Sequence, residues 1–279
     1  MTIHEKLVRF IGETSSSLPQ DVEKALRAAA RRERKGSPAA VVLGTVLDNV
    51  RLARRRGTPL CQDTGTLTFF VDARLRRKVM PAAIARAVAE ATERGFLRRN
   101  TIDAVTGASI DDNCAVGAPV VHYSDSVPRG TVTLLMKGGG SENMSRQYSL
   151  PDASLGAGRD MEGVRRCVLD AVHRAQGYGC APGVVGVCIG GDRATGYEIA
   201  KEQLLRPLDE KGGGELARFE RRLLKEANSL GIGPMGLGGA TTLLGVKVAS
   251  RTRLPASFFV TVAYMCWALR RGTLDISAS

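Results

Sequence analysis

The chain has 279 residues, 43% apolar and 24% charged; this is a globular composition, it excludes global disorder, and no fixed period recurs to suggest a repeat or heptad architecture. The net charge is +12, concentrated in residues 1–100, which hold 20 Lys/Arg against 10 Asp/Glu. The longest mostly apolar stretch, Pro255 to Leu269, is 15 residues, short of the ~18 that a membrane-spanning helix needs. The charged N-terminus MTIHEKLVRF does not read as a signal peptide, so the expected location is cytoplasmic, with no membrane partner.

In chain order, a helix is predicted over 19–35, where Pro19 and Asp21 supply the start and Val22, Ala25, Leu26 and Ala29 recur at helical spacing. A second helix is predicted from about 38 to 56, ending in Arg54-Arg55-Arg56 before Gly57. Residues 66–72 (TLTFFVD) are β-branched and aromatic and predict a strand. Residues 80–95 predict a helix, with Pro81 in its first turn and Gly95 as its stop. The strand predicted over 131–136 (TVTLLM) runs into Lys137-Gly138-Gly139-Gly140. There follow a helix over 160–177, a buried strand over 183–189, and helices over 196–206 and 215–230 separated by Gly212-Gly213-Gly214. A strand over 241–248 and a buried apolar segment of either type over 258–268 complete the set. Helices and strands mix without the even rhythm of a doubly wound sheet. The expected fold is mixed α/β (α+β), with glycine-rich loops between strands and helices converging on a site. No Ser/Pro-rich linker divides the chain; residues 1–279 read as one domain, with a soft boundary between two lobes near 125–130 or 207–215.

The basic runs are Arg31-Arg32-Glu33-Arg34-Lys35, Arg54-Arg55-Arg56 and 74–78. Solvated helix faces, or docking of an acidic partner, account for them better than nucleic acid does. Aromatic residues are only 5% and do not interleave with these runs, which argues against a stacking platform for single strands. A basic nucleic-acid-binding module is the competing reading from another class; it requires an affinity that falls steeply with salt.

Glycine is the compositional anomaly, 32 residues of 279 against ~7% on average. Three clusters stand beside predicted strands: Lys137-Gly-Gly-Gly-Ser-Glu-Asn143, Cys188-Ile-Gly-Gly-Asp192, and the run from Gly231 to Gly239. Glycine lets backbone N–H groups approach a carboxylate or phosphate closely, although tight turns explain any one cluster equally well. None matches a Walker A loop or a dinucleotide fingerprint, which counts against a nucleotide-dependent enzyme.

The six cysteines show neither C-x-x-C nor zinc-finger spacing, and free buried thiols are the default for each. Cys61 breaks that default. In Pro59-Leu60-Cys61-Gln62-Asp63-Thr64-Gly65-Thr66 it sits in a polar turn with an amide, a carboxylate and a hydroxyl, the environment of a functional group. Cys180, in Gly179-Cys180-Ala181-Pro182-Gly183, also occupies a turn, whereas Cys266 lies in an apolar segment and by itself reads as core. His4 in the tail, His122 at the end of a strand-like run and His173 on a helix have no partner at metal spacing and read as ordinary residues.

PLCQDTGT, KGGGSEN, the GCAPG turn, GIGPMGLGGATTLLGVKV and ASFFVTVAYMCWALRR together resemble the iron–sulfur hydro-lyases, the class I fumarases and L(+)-tartrate dehydratases. The likeness runs in order from about residue 5 to 272, and the length resembles the α subunit of the two-subunit enzymes. It implies an α-type catalytic domain, one [4Fe-4S] cluster on Cys61, Cys180 and Cys266, and a separate β subunit carrying a smaller domain. The implied activity is reversible hydration of fumarate to malate; the alternative is dehydration of L(+)-tartrate to oxaloacetate. Either substrate is a dicarboxylate or 2-hydroxy diacid. By the same resemblance Asp63 matches an acid/base carboxylate and Gln62 a substrate-binding amide. Gly140 matches a backbone donor to a substrate carboxylate, and Arg98 the substrate arginine, with Arg99 its competitor for that role. Cys114, Cys167 and Cys188 are left as core thiols. One position departs: Leu254 stands where fused class I fumarases usually carry a histidine, and leucine transfers no proton, leaving Arg251 or Arg253 as nearby candidates.

Overall fold

The structure is a computed structural model that describes residues 1–76 and 78–276; Arg77, within the basic run 74–78, lies outside the described residues. Helices and strands alternate irregularly along the chain, and the fold is mixed α/β. It divides into two compact units: Met1–Pro19, Asp48–Gly139 and Ala268 onward form the first, Gln20–Leu47 and Gly140–Trp267 the second.

The first unit is built on β1 (Thr66–Asp72), β4 (Val120–Ser124), β5 (Thr131–Lys137) and β10 (Arg270–Asp275), in the spatial order β10-β5-β1-β4. β1 runs parallel to β4 and antiparallel to β5, and β10 is antiparallel to β5. A short hairpin of β2 (Thr101–Ile102) and β3 (Ser109–Ile110) stands apart. Side chains alternate across a strand. Phe69 and Val71 of β1 and Leu134 and Met136 of β5 therefore share one core with Leu7, Phe10 and Ile11 of α1 (Ile3–Ser16) and Ile84, Ala87 and Val88 of α4 (Pro81–Glu93). The predicted elements do not include α1, yet its start is encoded. Thr2 accepts from the Glu5 N–H and the Glu5 carboxylate accepts from the Thr2 N–H, a capping box ahead of an apolar face. His4 is therefore not a tail residue: it lies on α1 and shares a 2.5 Å hydrogen bond with Glu90 of α4.

The second unit holds β6 (Arg146–Ser149), β7 (Gly183–Ile189), β8 (Leu243–Ser250) and β9 (Phe259–Met265) in the order β6-β9-β7-β8. β7 is parallel to β8 and antiparallel to β9, which pairs antiparallel with β6 on its other side. Val185, Val187 and Ile189 of β7, Val246 and Val248 of β8, and Val260 and Val262 of β9 pack against α6 (Met161–Ala175) and α8 (Gly214–Ser229). Gly186, of opposite parity on β7, faces α7 (Arg193–Gln203) and lies against the Ala200 carbonyl. Helices on both faces bury β7 completely, which is why its sequence is a continuous apolar run rather than an alternating one. The segment over 258–268 resolves into β9 because strands pair with it on both edges. Also in this unit, Asp21 of α2 (Gln20–Arg32) accepts from the Leu208 N–H at 2.8 Å, and Glu33 accepts from the Ala240 N–H at 2.9 Å. α3 (Pro38–Arg56) carries the chain from the second unit back to the first. Among the described residues, no helix is long and apolar enough to cross a membrane.

Cys167 on α6 and Cys188 on β7 are fully buried, and burial pushes the Cys167 thiol up to about 12. Cys114 is half-buried, with its Sγ donating to the Ala85 carbonyl at 3.2 Å.

Arg165 ties α6 to α8, donating to Glu162 at 2.9 Å and to Glu226 at 2.7 Å. The Arg165 hydrogen bond holds the Glu162 carboxyl at about 2, below its ordinary 4.5. A folded-state value below the unfolded one adds stability above the unfolded value and loses it as pH falls toward the folded one. The urea midpoint of Glu162→Gln is accordingly expected below wild type at pH 7, with the gap closing as pH falls from 4.5 toward about 2. A pH-independent gap would remove this ion pair from the account.

Candidate active site

The loop from Pro59 to Thr66 leads from α3 into β1 and is pinned along its length. The Leu60 N–H donates to the Ser15 carbonyl at 3.0 Å, and Asn49 Nδ2 donates to the Leu60 carbonyl at 3.0 Å. Asn100 Nδ2 donates to the Gln62 carbonyl at 3.1 Å, and the Arg98 N–H donates to Thr64 Oγ1 at 3.0 Å. Arg270 Nη2 donates to the Asp63 carbonyl at 2.8 Å. Gly65 has φ +80° and lies so close to the Lys137 carbonyl that any Cβ would overlap it, so this turn requires glycine twice over. The half-buried Asp63 carboxylate comes within 2.8 Å of the position a Cβ on Gly138 would take. The first glycine of KGGG is thus the space in which this carboxylate sits.

Five sequence-predicted positions fall in the first unit: Cys61, Gln62, Asp63, Arg98 and the competitor Arg99. Cys61 is half-buried, while Gln62 and Arg98 are exposed on adjoining segments. Arg99 makes a 3.6 Å ion pair with the exposed Asp111, so Arg98 is the arginine whose backbone is bound to the Asp63 loop. A cavity of about 250 Å3 opens here, lined by Asp63, Gly65, Asn100, Asn113 and Gly139 among others.

Asn113 organises this region, and sequence reasoning missed it. It is buried, with φ +59°, a left-handed conformation that asparagine tolerates better than most residues. Its Oδ1 accepts from the N–H groups of Asn100 and Thr101, and its Nδ2 donates to Thr92 Oγ1 and to the Arg98 carbonyl at 2.8 Å. One amide thereby fixes the segment that carries Arg98. The only local signal is an asparagine after two aspartates.

Cys180, Cys266 and Gly140 belong to the second unit. Cys180 is exposed and left-handed, with φ 48° and ψ 58°, at the end of the turn 176–179. Its carbonyl accepts from the Trp267 N–H at 3.3 Å, and the half-buried Cys266 donates its N–H to Ser141 Oγ at 3.2 Å. Cysteines 86 positions apart are thereby joined through the backbone, with the serine of KGGGSEN on the second of them. Tyr264 is buried beside them, and burial above all pushes its hydroxyl well above the usual phenol range. The Met235 N–H donates to the Ala181 carbonyl at 2.9 Å, which seats the GCAPG turn on the GIGPMG turn. Gly140 lies on the short helix α5 (Gly139–Asn143) and is exposed with open space around it, and Glu142 of the same helix pairs with Lys201 of α7 at 2.5 Å.

Leu254 is 73% exposed, beside a cavity of about 530 Å3 that Arg251, Arg253, Asp192 and Thr195 also line. Arg253 stacks 4.5 Å over Phe258 and donates to the carbonyls of Leu254 and Pro255; Arg251 donates to the Ser250 carbonyl. Both guanidinium groups serve their own loop.

The sequence model described as "Fumarate hydratase (Fumerase)" matches residues 4–275. A Geobacillus stearothermophilus protein named "Putative fumarate hydratase class I" is 46% identical over 276 residues, 96% of this chain and 54% of that protein. The chain thus spans about half the length of this relative. An L(+)-tartrate dehydratase subunit alpha of Escherichia coli (strain UTI89 / UPEC) is 32% identical over 281 residues, covering 98% of this chain and 90% of that subunit.

Proposed function

Because the chain belongs to the fumarate hydratase family, we propose that it is the α-type part of an iron–sulfur hydro-lyase that, with a separate β subunit, hydrates fumarate to malate reversibly. The observation that carries this reading is the Trp267 N–H to Cys180 carbonyl bond, which joins the Cys180 turn to the Cys266 segment. The donor chemistry suits a [4Fe-4S] cluster on Cys61, Cys180 and Cys266. None of the three is sealed in the apolar interior as Cys167 and Cys188 are. Among the described residues, no three His, Cys, Asp or Glu close on a single ion. A cubane does not need such a set, because each thiolate binds a different iron. When bound, the cluster supplies one iron without a protein ligand, a Lewis acid for the substrate's hydroxyl and one carboxylate.

The remaining work belongs to the chain. Hydration adds a proton to one alkene carbon and hydroxide to the other; dehydration reverses both. The Asp63 carboxylate, held over Gly138 and backed by the Arg270–carbonyl bond, is the group proposed to hold that proton. Arg98 and Gln62 are exposed beside it, and a planar guanidinium suits a substrate carboxylate. The open backbone at Gly140 suits the second carboxylate, whose charge grows as the C–H proton leaves. Part of the positive charge of residues 1–100 would draw in a dianionic substrate, and part would face the β subunit.

L(+)-tartrate dehydration is the second reading. It is favoured by the 90% coverage of the Escherichia coli alpha subunit against 54% of the Geobacillus protein, and by Leu254 in place of a histidine. The test is kcat/KM on fumarate and on L(+)-tartrate, measured anaerobically with the cognate β chain. Fumarate is expected to be the better substrate by about tenfold or more, a difference of the size that one substrate hydroxyl commands. The opposite order selects the tartrate reading. A cluster-loaded complex inactive on both overturns the hydro-lyase assignment.

A further inference from the structure

Arg270 opens β10 opposite Met136 of β5 and is 1% exposed, first among the large fully buried side chains. Its Nη2 donates to the Asp63 carbonyl at 2.8 Å, but Nε and Nη1 find no hydrogen-bond partner among the described residues. A guanidinium stays protonated inside proteins. Burying such a charge against one neutral carbonyl is strongly destabilising, because little replaces its lost hydration. A buried cation of this kind marks a place where an anion is to be met.

Two facts say which anion. The loop that Arg270 holds contains Cys61, two residues before Asp63, and Cys266 lies four residues before Arg270 in the chain. A [4Fe-4S]2+ core on three thiolates is a net anion. We propose that Arg270 is a positioning residue for the cluster: it fixes the Cys61-Gln62-Asp63 loop and supplies the buried positive charge that offsets the thiolate-bound centre. This rests on the cluster reading above.

The test uses the full chain, iron-free and after anaerobic reconstitution, as wild type, Arg270→Met and Arg270→Lys. Iron and sulfide per chain, the rate of iron loss to a chelator, and the Tm of the iron-free chain are read. Arg270→Met is expected to lose iron about tenfold faster or more, the scale of lost outer-shell support. Its iron-free Tm is expected to equal or exceed wild type, because an uncompensated buried charge has been removed. Arg270→Lys is expected to hold iron better than Arg270→Met. Opposite signs in the two readouts are what a merely structural arginine does not produce. Iron retention unchanged in Arg270→Met, a Tm that falls in step with iron, or lysine no better than methionine would each overturn the proposal while leaving the cluster reading intact. A wild type that takes up no iron overturns the cluster reading and this inference together.

Discussion

Replacement of Cys61, Cys180 or Cys266 by serine, one at a time, is expected to reduce iron and acid-labile sulfide per chain to near background after anaerobic reconstitution. Three thiolates are the minimum that holds a cubane with one open iron, and a serine hydroxyl is not ionised at neutral pH. The controls are Cys114→Ser, Cys167→Ala and Cys188→Ala, all expected to keep wild-type iron. Cys167 and Cys188 are enclosed by apolar side chains, and burial raises both thiols, so they behave as small hydrophobes. Exposure separates two of the controls from the candidate ligands: Cys180 is exposed and Cys61 and Cys266 are half-buried, whereas Cys167 and Cys188 are buried; Cys114, half-buried as well, tests whether exposure alone is enough. Equal iron in all six variants would sink the ligand assignment. The glycine loops around Cys180 and Gly138 would then belong to a site of another kind.

The second large effect is expected at Asp63. Asp63→Asn keeps the shape of the side chain against Gly138 and leaves the Arg270–carbonyl bond untouched, but removes the carboxylate oxygen proposed to hold the proton. With the β chain present and iron content unchanged, kcat is expected to fall by about 10²–10⁴-fold, the usual size of a lost general acid or base. KM should move much less, because the exposed Arg98 and Gln62 remain available to the substrate. A variant that keeps kcat within about fivefold would move the proton-handling role elsewhere, since general acid/base groups contribute far more than that.

These experiments rest on features of different legibility. The strands β1, β5 and β7 were readable because β-branched and aromatic runs between turn residues bury both faces. The helices α3 and α4 were readable from their ends, α3 from the arginine cluster before Gly57 and α4 from Pro81 in its first turn and Gly95 as its stop. The α1 helix carried its own capping box but followed no apolar run long enough to stand out. The 258–268 segment was apolar on every side, a pattern shared by a buried helix and a buried strand; only its pairing with β6 and β7 decides for a strand.

The candidate site divides the same way. Local chemistry within a few residues marked the Cys61–Asp63 turn, the GCAPG turn and the KGGG loop as unusual, because cysteine beside polar groups and clustered glycine are rare for core packing. The resemblance supplied the third cysteine, which spacing alone did not. What the sequence by itself determined, then, is the mixed α/β class, the chain's loops and the family. Only the tertiary structure decided that Asp63 lies in the space left by Gly138, that Asn113 fixes the Arg98 segment, that the Cys180 turn bonds to the Cys266 segment, and that Arg270 is buried with Nε and Nη1 unpaired among the described residues. The reason is separation along the chain. A turn or cap is closed by neighbours three or four positions away and leaves a local pattern, whereas Arg270 meets the Asp63 carbonyl across 207 positions and depends on the path of every strand between them.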